Sequence, residues 1–179
     1  MRLSAIALIF TFFLCAVPTA ANAETTLWGS VAVGCVPDSA SLYNARFVAN
    51  TTTGEVTFAP GKTGQVHLIC RIRRPFWDDI VDPNRLAVTY KDGADGLMCL
   101  NNDSSVTVAF MKTPTDAGSP STITSFTAAN SGLARSEHVH SFTEDTSNKN
   151  DVYYWVRVTI GRSNTSCDVR AFGVRLFKP

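Results

Sequence analysis

His138, His140 and Glu144 are the residues of this 179-residue sequence whose types and spacing come closest to a metal site. On an extended strand the two imidazoles project to the same side, and Glu144 is close enough along the chain to return as an oxygen ligand. Two imidazoles and a carboxylate suit a divalent metal with open positions. No His follows His140, so a usual fourth ligand is missing. The plainer expectation is a partly exposed strand carrying two His on its polar side, with no metal and no cofactor.

Aromatic residues supply a second chemistry. Arg71, Arg73 and Arg74 precede Pro75-Phe76-Trp77-Asp78-Asp79, and Tyr153 and Trp155 form a further strip. Ring faces beside guanidinium groups can stack on a sugar and hydrogen-bond to it, so Phe76, Trp77, Tyr153 and Trp155 are the candidate ligand-binding residues. The competing expectation is that Phe76 and Trp77 plug one end of the fold while Asp78 and Asp79 pair with the arginines. Asp92-Gly93-Ala94-Asp95-Gly96 has two nearby carboxylates but lacks the regular spacing of a calcium loop, and it reads as a tight hairpin turn. The sequence has no G-x-S-x-G, and its three His (His67, His138, His140) single out no triad. No catalytic residue is therefore assigned, and the expected protein is not an enzyme.

Composition narrows the remaining classes. Hydrophobic residues make up 45% and charged residues 17%, with 16 basic against 15 acidic side chains. That mix suits a globular domain, and the absence of a basic excess argues against nucleic acid as a partner. Residues 1–23 read as a signal peptide: Arg2, an apolar run of about a dozen residues over 6–17, and Ala21-Asn22-Ala23 before Glu24. The run falls short of the roughly 20 residues that span a bilayer, and no later stretch reaches that length. Residues 24–179 are expected to form one secreted domain, periplasmic or extracellular, with no membrane insertion. Setting Cys15 aside leaves Cys35, Cys70, Cys99 and Cys167, which in an oxidising compartment read as two disulfides with three possible pairings.

These residues must be held by strands, because period-2 alternation recurs along the chain and helical periodicity is hard to find. Val66, Leu68, Cys70 and Ile72 share one face of 64–72; Leu86, Val88 and Tyr90 alternate with Ala87, Thr89 and Lys91; Val106, Val108 and Phe110 form another inward set. In 152–160, Val152, Tyr154, Val156, Val158 and Ile160 oppose Tyr153, Trp155, Arg157 and Thr159. Thr51-Thr52-Thr53-Gly54, Pro60-Gly61, 114–120 and 148–151 read as turns. The last strand changes parity near Phe172-Gly173, where a bulge is expected. Eight to ten short strands without intervening helices imply an all-β, antiparallel β-sandwich of jelly-roll type.

Cys35-Val36-Pro37-Asp38-Ser39, Leu68-Ile69-Cys70, Tyr153-Tyr154 and Gly173-Val174-Arg175-Leu176 together resemble a family of small secreted bacterial β-sandwich proteins of uncharacterised function. The resemblance implies a secreted all-β domain and transfers no catalytic or binding residue. It also implies a Cys35–Cys70 bridge, consistent with Cys70 facing the core near its strand's end and Cys35 closing the first strand after Gly34. Cys99 and Cys167, each after a Gly- or Ser-rich turn, then make the second pair. Gly132 through Glu144 is in turn similar to the first cupin motif, a Gly, five residues, His-x-His, three residues and Glu, although the Gly expected near Asp151 is missing. Two functions follow as expectations. The first is a non-catalytic recognition or structural module of the bacterial surface or exterior, binding a glycan or protein. The second is a cupin-like metal protein or enzyme built on His138, His140 and Glu144.

Overall fold

The structure, a computed structural model, describes residues 24–72, 83–94, 103–128, 134–143 and 152–178. The elements in chain order are β1 (Thr25–Val31), a 3-10 turn (Ala32–Gly34), β2 (Val36–Pro37), α1 (Ser39–Tyr43), β3 (Phe47–Asn50), β4 (Glu55–Phe58), β5 (Gly64–Arg71), β6 (Arg85–Ala94), β7 (Ser104–Pro114), β8 (Ser121–Ala128), β9 (Ser136–Ser141), β10 (Val152–Arg162) and β11 (Cys167–Lys178). Residues 1–23, Phe76, Trp77, Cys99 and Glu144 lie outside the described residues, as do Arg73, Arg74, Asp78, Asp79, Asp95 and Gly96.

Two antiparallel sheets face each other. The first runs β3-β4-β11-β6-β9, with β1 also paired to β11; the second runs β2-β5-β10-β7-β8. Without β1, β2 and β3, the orders β4-β11-β6-β9 and β5-β10-β7-β8 are those of a jelly roll, in which the chain crosses between sheets at nearly every connection. The expected class is therefore the observed one. The strand count is higher than expected: eleven strands are described, among them β2 and β3, short N-terminal strands that alternation alone does not mark.

The inward sets of the expected strands form the core. Val66, Leu68, Leu86, Val88, Val106, Val108, Phe110, Val156, Ile160 and Leu176 are almost wholly buried between the sheets. Branched and aromatic side chains crowd these positions because they pack well on a pleated, half-buried surface. At the end of the sandwich Arg162 is buried, its guanidinium donating to the carbonyls of Ala59, Lys62 and Cys167 at 3.1, 2.7 and 3.0 Å and lying 4.8 Å from the Phe58 ring centroid. Burial holds its pKa below the ordinary arginine value, and the charge of nearby Asp168 offsets only part of that. The carbonyls replace the water that burial removes.

β11 carries the expected bulge. Pairing with β6 shifts register between Ala171 and Gly173, so Arg170 and Arg175 share the outer face although their spacing is odd. The bulge also divides the strand's other edge: Arg170 and Ala171 pair with β4, and Gly173 to Lys178 pair with β1. On that face Arg170 bonds Asp168 and Glu55, Lys91 bonds Asp168, and Arg175 bonds Glu137 and Glu24.

Three local expectations need correction. Asp92-Gly93-Ala94 is not a hairpin turn but the end of β6, where Asp92 pairs with Val169 and is buried. Cys35 does not end β1, which stops at Val31; a 3-10 turn intervenes. A short helix, α1, follows β2 because the Asp38 carboxylate accepts from the Ser41 N–H at 2.8 Å, and Ser41 Oγ in turn accepts from the His67 N–H of β5 at 3.1 Å. One disulfide is described whole, Cys35–Cys70, with its Cα atoms 4.4 Å apart. Cys167 is buried and disulfide-bonded, and Cys99, the partner expected for it, lies outside the described residues.

Candidate functional site

β10 is the central strand of the second sheet, so its outward side chains run down the middle of that sheet's outer face. They are Tyr153, Trp155, Arg157 and Thr159, the set expected from alternation, while Tyr154, Val156, Val158 and Ile160 are buried. Tyr153 is 60% exposed and Trp155 is half-buried. Both face away from the core.

Register supplies their neighbours. Trp155 lies opposite Arg71 of β5 on one side and Met111 of β7 on the other; Arg157 lies opposite Ile69, and Thr159 opposite His67. Directly opposed residues on adjacent strands have Cβ atoms about 5 Å apart, so these side chains form one continuous patch. Val36 of β2, exposed and paired with Ile69, extends it to the sheet edge. The indole N–H of Trp155 donates to Thr113 Oγ1 at 3.0 Å, which fixes the ring's edge toward β7. His67 Nδ1 and Thr159 Oγ1 share a hydrogen bond of 3.0 Å. A groove of about 350 Å³ is lined by Ile69, Arg71, Ile72, Tyr153, Tyr154 and Trp155. The arrangement offers aromatic rings, a short apolar floor and two exposed guanidinium groups.

The sequence candidates thus divide. Tyr153 and Trp155 come together on one face, and Arg71 joins them. Arg157 was legible as their strand-mate, whereas Ile69 and Val36 were not legible as neighbours, because cross-strand register is invisible in a single strand's alternation.

His138 and His140 do project to one side, but it is not the polar side. They pair with Val88 and Leu86, whose side chains face the core, so both imidazoles point between the sheets. There the Phe126 ring of β8 stacks on both, with centroids 4.9 Å from His138 and 5.2 Å from His140. The outward residues of β9 are Glu137, bonded to Arg175, and Val139, which is exposed. Among the described residues no three His, Cys, Asp or Glu side chains gather as a metal site.

Comparison with known proteins adds no family. No protein-family model and no curated protein matches the sequence. Among solved structures, the chain is similar to a xylan-binding module, CBM15, at 18% identity and a TM-score of 0.40, covering 73% of this chain and 81% of that one. It is also similar to PfGH50B, at 13% identity and a TM-score of 0.43, over 80% of this chain and 23% of that one. A third likeness, to a Broad Bean Stain Virus structure, has 12% identity and a TM-score of 0.37, over 69% and 85% of the two chains. These likenesses are too distant to bear on function, which rests on the geometry of the face itself.

Proposed function

We propose that the protein is a secreted, non-catalytic recognition module that binds a glycan across the outer face of its second sheet. The observation that carries this reading is the pair Tyr153 and Trp155, turned outward on the central strand beside exposed Arg71 and Arg157. Aromatic rings pack against the apolar faces of sugars, and guanidinium groups donate to their oxygens in a fixed fork. A large ring turned into solvent forgoes the stabilisation that burial would bring, so an outward Tyr–Trp pair at a sheet centre is better explained by recognition than by folding. Export is supported by the leader-like residues 1–23 and by the Cys35–Cys70 disulfide, which suits an oxidising compartment.

Trp155→Ala tests the reading. Retention on a glycan array or polysaccharide column should disappear while the circular dichroism spectrum and the Cys35–Cys70 bridge persist. Trp155 lies outside the core, so its truncation should cost less than the roughly 3–5 kcal/mol of a buried Trp. A wild-type protein retained by no glycan would overturn the proposal.

A further inference from the structure

Charge is segregated between the two sheets. The strands of the first carry Glu55, Asp92, Glu137 and Asp168, and its outward arginines are neutralised: Arg170 by Asp168 and Glu55, Arg175 by Glu137 and Glu24. The five strands of the second sheet contain no Asp or Glu. On its outer face Arg71 and Arg157 are exposed, and neither has a carboxylate partner among the described residues. This asymmetry is hidden in the whole-chain balance of 16 basic against 15 acidic side chains.

The two guanidinium groups bracket Trp155. Arg71 is its direct partner across the β5–β10 ladder, and Arg157 follows it two residues along β10, roughly 7 Å away. Tyr153 lies the same distance on the other side of Trp155, so aromatic and cationic groups run along one line long enough for more than one sugar ring. A neutral glycan would use the rings and make no use of the two guanidinium charges. Carboxylate or sulfate groups would meet planar forks that bind such oxyanions in pairs of parallel hydrogen bonds.

We propose that the glycan taken by this face is acidic, with carboxylate or sulfate groups held by Arg71 and Arg157 while sugar rings stack on Trp155 and Tyr153. The inference rests on the glycan-binding reading above and adds the ligand's charge. The test is a panel of neutral, uronate-bearing and sulfated polysaccharides probed with the full exported chain, its Arg71→Gln and Arg157→Gln variants, and Lys178→Gln as an exposed cation of the first sheet. Acidic polymers should bind in preference to neutral ones, and the arm that binds more tightly identifies carboxylate or sulfate. Each Arg→Gln change should weaken binding about tenfold or more, whereas Lys178→Gln should leave it unchanged. Raising salt from 0.15 M to 1 M, where screening shortens to about 3 Å, should weaken it as well. Binding of neutral glycans that ignores Arg71→Gln and Arg157→Gln would overturn the acidic ligand and leave the glycan reading standing. Equal loss in Lys178→Gln, or tighter binding to phosphatidylserine vesicles than to any glycan, would overturn the inference too. Binding to no polymer at all would overturn both.

Discussion

Asp168 is the residue on which the outer network of the first sheet turns. Its carboxylate accepts from Lys91 at 2.6 Å and from Arg170 at 2.7 and 3.0 Å. Burial alone would push its pKa up, but these hydrogen bonds and the two positive charges together hold it below the ordinary value near 3.8. A carboxyl whose folded pKa is depressed stabilises fully above its unfolded pKa, and loses that contribution as pH falls through the lower folded value. Stability in urea should therefore decline below about pH 4, and Asp168→Asn should flatten the part of that decline that Asp168 causes. At neutral pH the substitution should cost about 1–2 kcal/mol, a moderate figure because the three side chains are only partly screened from water. An unchanged pH profile in Asp168→Asn would show that the acid sensitivity arises elsewhere.

At the scale of the element, the bulge in β11 lets one strand serve two partners along the same edge. Gly173 sits where β1 begins to pair, opposite Val31, and a Cβ added there would come within 3.0 Å of the Ser30 carbonyl oxygen. That neighbour is backbone and cannot turn aside. Gly173→Val should push β1 from its seat and cost about 1–3 kcal/mol. Amide hydrogen exchange should rise over Thr26 to Val31 while β10 stays protected, because local opening takes the element with the fewest buried partners first. Equal loss of protection in β10 would mean that β1 and the core open as one unit.

For the whole molecule, the Cys35–Cys70 bridge ties the segment after β1 to the second sheet across 35 residues of sequence. Closing a loop of that length stabilises a fold by about 4 kcal/mol through the entropy it removes from the unfolded chain. A Cys35→Ala/Cys70→Ala double variant should lose a comparable amount, a large share of the 5–15 kcal/mol that typical domains possess. Urea denaturation of this variant, with Cys167 undisturbed, separates the one bridge from general reduction. A loss well under 1 kcal/mol would show that the buried contacts around Cys70 hold the segment without the bond.

Much of the fold was legible in the sequence because strand alternation is a local property. The two faces of 152–160, the inward set of 64–72 and the parity change at Phe172-Gly173 all follow from side chains projecting to opposite sides in turn, and the structure has each of them. Alternation tells which residues share a side, but not which side meets the core where a strand carries few apolar residues. β9 illustrates this: its one aliphatic residue, Val139, is exposed, while His138 and His140 turn inward because their rings can stack on Phe126. The candidate site was half legible for the same reason. Tyr153, Trp155 and Arg157 are neighbours along one strand, but Arg71 reaches Trp155 only through the β5–β10 register, between residues more than 80 positions apart. Sequence by itself determined the jelly-roll class and that Tyr153 and Trp155 share one side of their strand, since both rest on period and composition; the packing of the sheets decided that this side faces outward. Tertiary structure alone decided which charges are neutralised and which have no carboxylate partner among the described residues, because ion pairing depends on the strands that long-range packing brings side by side.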